Sequence, residues 1–552
     1  MADQRTIVVV GGVAGGASAA TRARRCNETA RIILLEKDEH VSFANCGLPY
    51  YIGGEIAPRD KLLVATPKKF DEWFGIEVRT RTEAIRIDRA GRQLTVRHTQ
   101  TGQTESIAYN KLILAPGASP LVPPFAKVDA DNVFTLRNLA DTDRIKAYID
   151  QHKPAHATVI GAGFIGLEMI EMLVRLNIRT SLVELVEHVL APMDAEMARI
   201  LHEELKAHGV DLRLGCATER FNVQNGRAVS LDLACGEQLA TEMVIVGVGV
   251  RPNVQLAQDA GIALGASGAI ATDDWQRTSD PDIYAVGDAA EYPYGPTGQR
   301  TRIPLAGPAN RAGRIAGEHA ATDHSPPMGP VFGTAVVRVF SKTAGLTGLT
   351  EKAAARAGIP ARAVWTPARH HAGYYPGAQE MMLKLVYAPD TGKVLGAQIV
   401  GGDGVDKRLD ILATLMRFGG TVHELAELDL AYAPPFGSAK DPVHMAAFIA
   451  QNHLARLDDP APPANTASLP AGAQVLDVRT PEEWQSGTLP GAITIQLHEL
   501  RARIAELDAQ RPVLAVCRGG QRGYYAARIL RQHGFQDVRT LSGGMMMQSY
   551  IK

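Results

Sequence analysis

The chain has 552 residues, of which 58 are basic and 59 acidic, and its formal net charge is -1. At roughly 150 residues per domain this length is too great for a single core and predicts three or four domains. With 45% hydrophobic residues, 53 Gly and 32 Pro, the composition is typical of a globular protein with many turns, and the balanced charge excludes a strong electrostatic footprint for nucleic acid or an anionic membrane.

The N-terminal apolar run, residues 6–10, is too short for a signal sequence and continues directly into glycines. We therefore expect a buried strand there and a cytoplasmic protein. Five cysteines show no common spacing, no C-x-x-C pair and no partnering histidines; they are Cys26, Cys46, Cys216, Cys235 and Cys517. This pattern indicates neither a disulfide framework nor a zinc site, so we expect any functional cysteine to act singly and expect no metal.

Two segments share one layout: an apolar strand, a glycine-rich turn, a helix, and a second strand that ends in an acid. The first covers residues 7–36 and ends at Glu36, and the second covers residues 158–184 and ends at Glu184. In such a unit the turn lets a pyrophosphate approach the helix N-terminus, while the acid accepts a hydrogen bond from a ribose hydroxyl. The turn residues are Gly11, Gly12, Ala14, Gly15 and Gly16 in the first unit and Gly161, Gly163 and Gly166 in the second. Two dinucleotide sites are therefore predicted.

Further strand-like segments complete the order of a known family. They cover residues 111–118, 244–253 and 278–288, and the last ends in Gly287 and Asp288. This order resembles the two-dinucleotide-binding flavoprotein disulfide reductases, from residue 1 to about residue 450. The resemblance implies FAD in the first unit, a nicotinamide dinucleotide in the second, and a flavin contact from Asp288. It also implies cofactor contacts at Lys37, Ala115, Gly117 and Gly249.

The first turn departs from the G-x-G-x-x-G pattern, because Val13 stands in the place of the second glycine. We expect the adjoining Gly15 and Gly16 to compensate. In the second unit Glu184 would repel a 2'-phosphate, and the residues that follow it, Leu185 and Val186, add no cation. NADH is therefore expected to be preferred over NADPH.

The predicted fold class is α/β, with two Rossmann-like dinucleotide-binding domains, an α+β dimerisation domain and a C-terminal α/β domain. The expected boundaries are 1–150 and 276–328 for the two parts of the FAD-binding domain, 151–275 for the NAD-binding domain, 329–452 for the dimerisation domain, 453–470 for a linker and 471–552 for the C-terminal domain. The linker is expected from the Pro, Ala and Asp of residues 458–463. In the resembled family the third region forms the dimer interface, so a homodimer is implied.

Cys46 lies in the segment 42–50, shortly after the acid of the first unit. A lone cysteine is usually a small buried hydrophobe. In the flavoprotein family, however, a cysteine at this place lies against the flavin, where its thiolate attacks sulfur. The nearest other cysteine, Cys26, is 20 residues upstream, so we expect Cys46 to pair with a group outside the chain. The chemical options are a mixed disulfide with a small thiol and a sulfenic acid.

The single-cysteine branch of this family offers both options. NADH oxidases and peroxidases cycle a sulfenic acid, whereas coenzyme A (CoA) disulfide reductases cycle a mixed disulfide with CoA. Peroxidase-type members carry a histidine in the first glycine-rich turn, where this chain has Ala14, which disfavours peroxide chemistry. The segments 42–50, 374–377 and 431–435 resemble the CoA disulfide reductases.

The same resemblance implies a CoA site. Transfer by matching position places its contacts at Ser18, Arg22, Arg25, Ser42, Asn45, Asn310 and Lys440. The first helix carries Arg24 beside two of these arginines, and cations there suit the anionic 3'-phospho-ADP end of CoA.

Two tyrosines and two histidines complete this part of the chain. Tyr374 and Tyr432 match family tyrosines that reach the cysteine site of the partner subunit, where a phenol can protonate a leaving thiolate. His370 and His371 are adjacent, but no carboxylate or cysteine stands at ligand spacing, so no metal site is predicted.

The C-terminal region reads as strands at 474–479 and 512–516, with a helix start at 480–483. Cys517 then begins a loop that opens a further helix, so that amide hydrogens and the helix dipole would stabilise a thiolate or persulfide. Together with the segments 489–492 and 541–544, these features resemble a single-domain rhodanese. The loop residues expected to hold the persulfide are Arg518, Gly519, Gly520, Gln521 and Arg522.

The combined resemblances imply an NADH-dependent flavoprotein reductase. It would act on CoA persulfide, polysulfide or CoA disulfide through a mixed disulfide of Cys46 and CoA, and would release sulfide or free thiol. Two alternatives stay open: a CoA-disulfide reductase for thiol redox balance, and a rhodanese sulfurtransferase to which the reductase is accessory. The sequence also leaves open whether sulfur passes from Cys517 to Cys46.

Overall fold

The computed structural model describes residues 5–463, 469–470 and 472–551. The chain falls into two compact units, one formed by Met1–Leu185 and Gly209–Gly333, the other by Val186–His208 and Thr334–Lys552. Within the described residues, no helix has both the length and the apolar character that crossing a membrane requires.

The first unit contains a five-stranded parallel sheet that carries the first glycine-rich turn. Its strands are, in spatial order, Ile283–Ala285, Lys111–Leu114, Thr6–Val10, Arg31–Leu35 and Glu77–Arg79. Helix Ala14–Cys26 follows the central strand and packs along helix Ala306–Thr322. The two helix backbones approach closely, because a Cβ added at Gly313 would lie 2.2 Å from the Gly15 carbonyl oxygen. The apolar run at 6–10 is thus a buried central strand, as the sequence predicts.

A second five-stranded parallel sheet in the same unit carries the second turn. Its strands are Asp211–Leu214, Arg179–Glu184, His156–Ile160, Met243–Val246 and Val133–Phe134. Helix Phe164–Arg175 follows the central strand and buries five apolar side chains, which are Leu167, Met169, Ile170, Met172 and Leu173. The prediction of two Rossmann-like units in an α/β chain is confirmed.

Smaller elements complete the first unit. Two three-stranded antiparallel sheets comprise Thr82–Asp88, Gln93–His98 and Thr104–Ala108, and Thr218–Gln224, Arg227–Leu233 and Gln238–Ala240. Two strand pairs comprise Ala118–Pro120 with Val250–Pro252, and Glu291–Pro293 with Arg300–Arg302. The remaining helices are Leu48–Ile52, Pro67–Phe74, Leu139–His152 and Gln255–Asp259.

The structure corrects one expectation about the cysteines, because Cys216 and Cys235 form a disulfide. Antiparallel pairing of Thr218 with Leu233 places the two cysteines opposite each other, two residues beyond that pair. The strands are joined through Asn225 and Gly226, both at positive φ (50° and 74°), which is the turn geometry that closes a tight hairpin. The spacing of the cysteines was therefore set by a hairpin rather than by a cysteine motif.

The second unit contains a five-stranded antiparallel sheet. Its strands are, in spatial order, Ala335–Val339, Lys342–Gly348, Val394–Gly401, Glu380–Tyr387 and Arg362–Arg369. Its helices are Ala195–Ala207, Glu351–Arg356, Val405–Arg417, Val422–Ala426 and Pro442–Leu454. The last two strands of the sheet form what we call the 362–387 hairpin, whose connecting loop covers residues 370–379.

The C-terminal domain is built on a parallel sheet. Its strands are Pro460–Ala461, Val538–Leu541, Val513–Val516, Gln474–Asp477 and Ile493–Thr494, and its helices are Pro481–Gln485, Gln521–Gln532 and Gly544–Gln548. The edge strand Pro460–Ala461 lies inside the segment 453–470, which the sequence predicts to be a linker. It forms because the Ala461 carbonyl accepts from the Ser542 amide at 3.0 Å and the Asp458 carboxylate accepts from the Thr540 hydroxyl at 2.7 Å. Pro460 is compatible with this edge position, where a missing N–H leaves no ladder bond broken.

Candidate functional site

The first glycine-rich turn lies at the mouth of a cavity of about 490 Å³. The predicted cofactor residues that line it are Gly11, Glu36, Lys37, Ala115 and Gly117, and they are joined there by Asn45 and Arg137. The turn is tightly packed on its inner side, since a Cβ at Gly16 would lie 1.8 Å from the Gly11 carbonyl oxygen. The cavity and its glycine-lined wall fit the dinucleotide expected in this unit.

The acid at the end of the second strand is held by backbone amides. Its carboxylate accepts from the Gly12 amide at 2.9 Å and from the Asp38 amide at 3.1 Å. Burial raises the pKa of Glu36, and these two amide hydrogen bonds oppose the rise. The carboxylate thus lies at the turn with both oxygens oriented, where it could accept from a ribose hydroxyl.

The second turn repeats this arrangement. The Glu184 carboxylate accepts from the Ala162 amide at 2.7 Å. A Cβ at Gly166 would lie 2.0 Å from the Gly161 carbonyl oxygen, whereas a Cβ at Gly163 would meet no atom within 4 Å. The turn is therefore closed towards the sheet and open where a pyrophosphate would approach. Gly249, the last predicted residue of this unit, has φ +116°.

Cys46 belongs to a short 3₁₀ turn, Asn45–Gly47, and the residue is exposed. Partial loss of solvation raises the pKa of the Cys46 thiol, the carboxylates of Glu168 and Asp288 raise it further, and Arg137 opposes them. Arg137 also donates to the Asp288 carboxylate at 3.1 Å and lies 3.3 Å from the Asn45 side-chain amide. Arg137 and Glu168 were not among the predicted residues, and no local pattern marks them.

The candidate CoA residues are only partly brought together. The Ser18 hydroxyl donates to the Asn310 side-chain oxygen at 2.5 Å. Arg22 is paired with Glu318, with N–O distances of 2.9 and 2.5 Å, while Arg25 is exposed. Ser42 lies at φ +48° in the segment that leads to Cys46. Lys440 is exposed in the second unit, whereas the other candidates belong to the first.

Arg24 does not share the solvated face of its two neighbours. It is buried, and its guanidinium donates to the backbone carbonyls of Phe74, Gly75, Glu28 and Ala30 at 2.6 to 3.0 Å. Arg24 therefore links the end of the first helix to the following segments, whereas Arg25 is exposed and Arg22 is half-buried.

The two predicted tyrosines meet in the second unit. Their hydroxyl groups lie 3.1 Å apart, and this hydrogen bond raises the pKa of Tyr374. The side chains of Tyr374 and Tyr432 are 77% and 48% exposed. Both phenol groups therefore lie at the protein surface and are not part of a hydrophobic core.

The adjacent histidines pack inside the second unit. His370 Nδ1 accepts from the Gln379 amide at 3.0 Å, and burial lowers its pKa, which favours the neutral ring. Asp403, a carboxylate that sequence spacing did not reveal, lies 3.6 Å from His370 Nε2. The three acids Asp194, Glu196 and Glu351 cluster as metal ligands could, but the Lys384 ammonium lies 2.5 to 2.7 Å from an oxygen of each.

The loop after strand Val513–Val516 presents Cys517 at the start of helix Gln521–Gln532. The Gly520 amide donates to the Cys517 sulfur at 3.0 Å. Gly520 has φ +104°, a conformation that an L residue rarely adopts, so the glycine permits the amide to face the sulfur. The backbone at Gly544 packs tightly against this loop, because a Cβ at Gly544 would lie 2.5 Å from the Cys517 carbonyl oxygen.

The arginine at the far end of this loop, Arg522, is held in place by a carboxylate. Both terminal nitrogens of Arg522 donate to the Glu483 carboxylate, at 2.6 and 2.7 Å, and this pairing lowers the pKa of Glu483 to about 2. Arg479 in turn donates to the buried Asp477 carboxylate at 2.7 Å and to the Glu483 carbonyl at 3.0 Å. The predicted loop residues Arg518, Gly519 and Gln521 line the cavity outside Cys517.

Three family models match the chain. One described as pyridine nucleotide-disulphide oxidoreductase matches residues 5–313, one described as the dimerisation domain of these enzymes matches residues 334–442, and one described as rhodanese-like domain matches residues 464–547. A coenzyme A disulfide reductase of Staphylococcus haemolyticus is 35% identical over 448 residues, which cover 81% of this chain and 100% of that protein.

Two solved structures are similar over nearly the whole chain. The reduced CoADR-RHD protein of Bacillus anthracis has a TM-score of 0.96 at 44% identity and covers 100% of this chain and 98% of its own. A NAD-dependent persulfide reductase from A. fulgidus has a TM-score of 0.92 at 35% identity, with 98% and 99% covered. The predicted family, fold class and FAD and NADH dependence are confirmed. The chain therefore belongs to the pyridine nucleotide-disulphide oxidoreductases and carries a C-terminal rhodanese-like domain.

Proposed function

We propose that this protein is an NADH-dependent cytoplasmic reductase of CoA persulfide, polysulfide or CoA disulfide, and that Cys46 forms a mixed disulfide with CoA. The observation that carries the proposal is the isolation of Cys46. Among the described cysteines, Cys216 and Cys235 are bonded to each other, Cys26 packs against the core of the first sheet, and Cys517 has a loop of its own. This supports a thiol partner from outside the chain.

The chemistry of Cys46 balances with an external thiol. Its thiolate attacks the CoA-bearing sulfur of CoA persulfide, the S–S bond of the substrate breaks, hydrosulfide leaves, and a Cys46–CoA disulfide forms. Two electrons and two protons then return this disulfide to the Cys46 thiol and free CoA. FAD and NADH supply the electrons when they are bound. With CoA disulfide as substrate, the leaving group is the CoA thiolate.

The side chains around Cys46 have distinct parts in this scheme. The Arg137 guanidinium favours the thiolate, since its positive charge lowers the pKa of Cys46 against the groups that raise it. Ser18 and Asn310 lie together and could hold polar parts of CoA, while Arg25 offers an exposed cation for its phosphates. Arg22 is paired with Glu318, so a CoA phosphate that bound Arg22 would share its guanidinium with that carboxylate.

We also propose that the protein is a homodimer. The chain carries the dimerisation domain of its family, and Tyr374 and Tyr432 lie exposed within it. In a dimer these phenols could reach the Cys46 site of the partner subunit and protonate the thiolate that leaves.

A second candidate function is sulfur transfer by Cys517, and the hydrogen bond from the Gly520 amide to its sulfur favours it. An amide directed at sulfur stabilises both a thiolate and the terminal charge of a persulfide. We propose that Cys517 accepts a sulfane sulfur and that the reductase releases it as sulfide.

One preparation separates these functions. NADH oxidation is measured with CoA persulfide, polysulfide and CoA disulfide, and thiosulfate:cyanide transfer is measured alongside. We expect the highest kcat/KM with CoA persulfide, a yellow protein with about one FAD per subunit, and CoA released by reductants. An equal kcat/KM with CoA disulfide would favour thiol balance as the role. Oxidation of NADH that needs only oxygen or peroxide would contradict the proposal.

A further inference from the structure

A cavity of about 270 Å³ lies outside Cys517, and two domains form its wall. The C-terminal domain contributes the residues of the cysteine loop, and the dimerisation domain contributes the 362–387 hairpin. The hairpin residues that line the cavity are Pro367, Ala368, Arg369 and Glu380. The site of Cys517 is thus incomplete in the rhodanese-like domain alone.

The hairpin is fixed against this site by direct contacts. Glu380 accepts from Arg518, the residue after Cys517, at 2.7 Å. The Trp365 amide donates to the buried Ser542 hydroxyl at 3.0 Å, so the hairpin strand also contacts the turn behind the loop. Arg369 and Glu380 are register partners on adjacent strands, so both residues belong to the same face of the hairpin.

The charges that line the cavity are unevenly paired. Arg522 is held by two bonds to Glu483. Arg518 has one exposed ion pair with Glu380, whose side chains are 55% and 46% exposed. Arg369 donates to the Gly373 carbonyl at 3.1 Å and has no acid partner among the residues that the structure describes. The cavity therefore holds one guanidinium without a carboxylate and a second whose pairing is weak.

We propose that Arg369 and Arg518 together bind the anionic end of the sulfur donor that loads Cys517, and that Glu380 is the internal anion which this donor displaces. The proposal rests on the proposed role of Cys517 in sulfur transfer. It assigns a specificity-determining residue, Arg369, to a site whose nucleophile lies in another domain. The favoured donors are compact dianions with a terminal sulfane sulfur.

The reaction that fits this site is balanced with thiosulfate as the probe. The Cys517 thiolate attacks the outer sulfur, the S–S bond of thiosulfate breaks, and sulfite leaves with the electron pair of that bond. Cys517 then holds a persulfide. The sulfonate oxygens face Arg369 and Arg518 throughout, since charge-assisted hydrogen bonds from guanidinium groups suit such oxygens.

The test is a KM comparison in thiosulfate:cyanide transfer by the full-length protein. Arg369→Gln should raise the KM for thiosulfate about threefold to tenfold, and Glu380→Gln should lower it by a similar factor, with kcat changed less than about twofold. Methanethiosulfonate, a monoanion in the same reaction, should respond less to both changes. Arg362→Gln is the matched control, because Arg362 is exposed at the far end of the same strand and does not line the cavity.

Binding of thiosulfate to Cys517→Ser protein, measured by calorimetry, tests the site without any transfer. Weaker binding in Cys517→Ser/Arg369→Gln would support the proposal even if wild-type protein transferred no sulfur, and only the role of Cys517 would then fail. A KM and a binding constant that Arg369→Gln leaves as unchanged as Arg362→Gln does would overturn the anion site. Equal changes with thiosulfate and methanethiosulfonate would overturn the preference for dianions.

Discussion

The two free cysteines of functional interest, Cys46 and Cys517, lie in different surroundings. Cys46 reaches solvent in a short turn, and two carboxylates and partial desolvation raise the pKa of its thiol. Cys517 is buried and receives an amide hydrogen bond from Gly520. One sulfur thus lies in surroundings that disfavour its charge, whereas the other lies in a loop built to hold a charge on sulfur.

This difference suggests a division of labour. A thiol with a raised pKa is mostly protonated at neutral pH and is a poor nucleophile until positive potential is added beside it. At Cys46 the Arg137 guanidinium supplies part of that potential. Cys517 has its own amide hydrogen bond from Gly520, so we expect its site to be loaded independently of Cys46. The following predictions test how far the two sites are separate.

The largest effects are expected from removing each sulfur in turn. Cys46→Ser should abolish substrate-dependent NADH oxidation with FAD retained, because no other described cysteine lies free beside it. Cys517→Ser should abolish thiosulfate:cyanide transfer, yet keep much of the reduction of free CoA persulfide. The absorbance of NADH and of thiocyanate complexes reports the two activities. Equal loss of CoA persulfide reduction in both variants would mean that sulfur must pass through Cys517.

A smaller effect is expected when the Cys517 loop is strained but its sulfur is kept. Gly520→Ala places an L residue at φ +104° and costs about 1–3 kcal/mol, which should displace the amide from the sulfur and slow sulfur transfer roughly tenfold to hundredfold. Gly534→Ala is the control, since Gly534 has a similar φ of +92° in the turn after the same helix. Similar losses in both variants would assign the effect to folding rather than to the amide.

NADH oxidation should depend on Glu184, whereas thiosulfate:cyanide transfer should not. We expect kcat/KM for NADH to exceed that for NADPH by roughly thirtyfold or more, because the carboxylate at the second turn would repel a 2'-phosphate. Glu184→Gln should narrow the ratio without changing thiosulfate:cyanide transfer. Steady-state kinetics with both nucleotides measure this. An equal efficiency with NADPH in the wild-type protein would refute the role given to Glu184.

The smallest effect concerns the pH dependence of Cys46. Since its pKa is raised, its thiolate fraction at neutral pH is low, and alkylation by iodoacetamide should speed up only towards alkaline pH. Glu168→Gln removes one of the acids that raise the pKa, so the midpoint of the pH–rate curve should move down. Rates are read from alkylated Cys46 peptides by mass spectrometry. Glu72→Gln, an exposed acid that does not act on this thiol, should leave the midpoint in place, and an unmoved midpoint in Glu168→Gln would contradict the electrostatic explanation.

Much of the fold was predictable because its signals are local. Strand, turn, helix and terminal acid follow one another within about 30 residues, so Glu36 and Glu184 could be assigned from pattern alone. The Cys517 loop is likewise contiguous, whereas the acids that pair with its arginines, Glu483 and Glu380, come from other segments. The sequence predicts a helix start at Thr480. No sequence pattern, however, indicates that the Glu483 carboxylate pairs with Arg522.

The remainder depends on tertiary packing that no short pattern encodes. Arg137 and Glu168 reach Cys46 from segments roughly 90 and 120 positions away in sequence, so their influence on its pKa could not be anticipated. The Cys216–Cys235 disulfide is an intermediate case. Residues 225 and 226, an Asn-Gly pair between two strand-like runs, are a recognised hairpin signal, and extending that hairpin outwards would have placed the cysteines opposite each other.

The contacts of Trp365 have a mechanical consequence for the joined domains. Its indole ring lies 4.6 Å from the Lys384 ammonium, which is buried among three carboxylates, and its amide is bonded to Ser542 of the C-terminal domain. The rhodanese-like domain is thereby bonded to a strand of the dimerisation sheet that packs against a buried cluster of charged side chains. The two domains should therefore unfold together in one cooperative transition, which differential scanning calorimetry of the full-length protein measures.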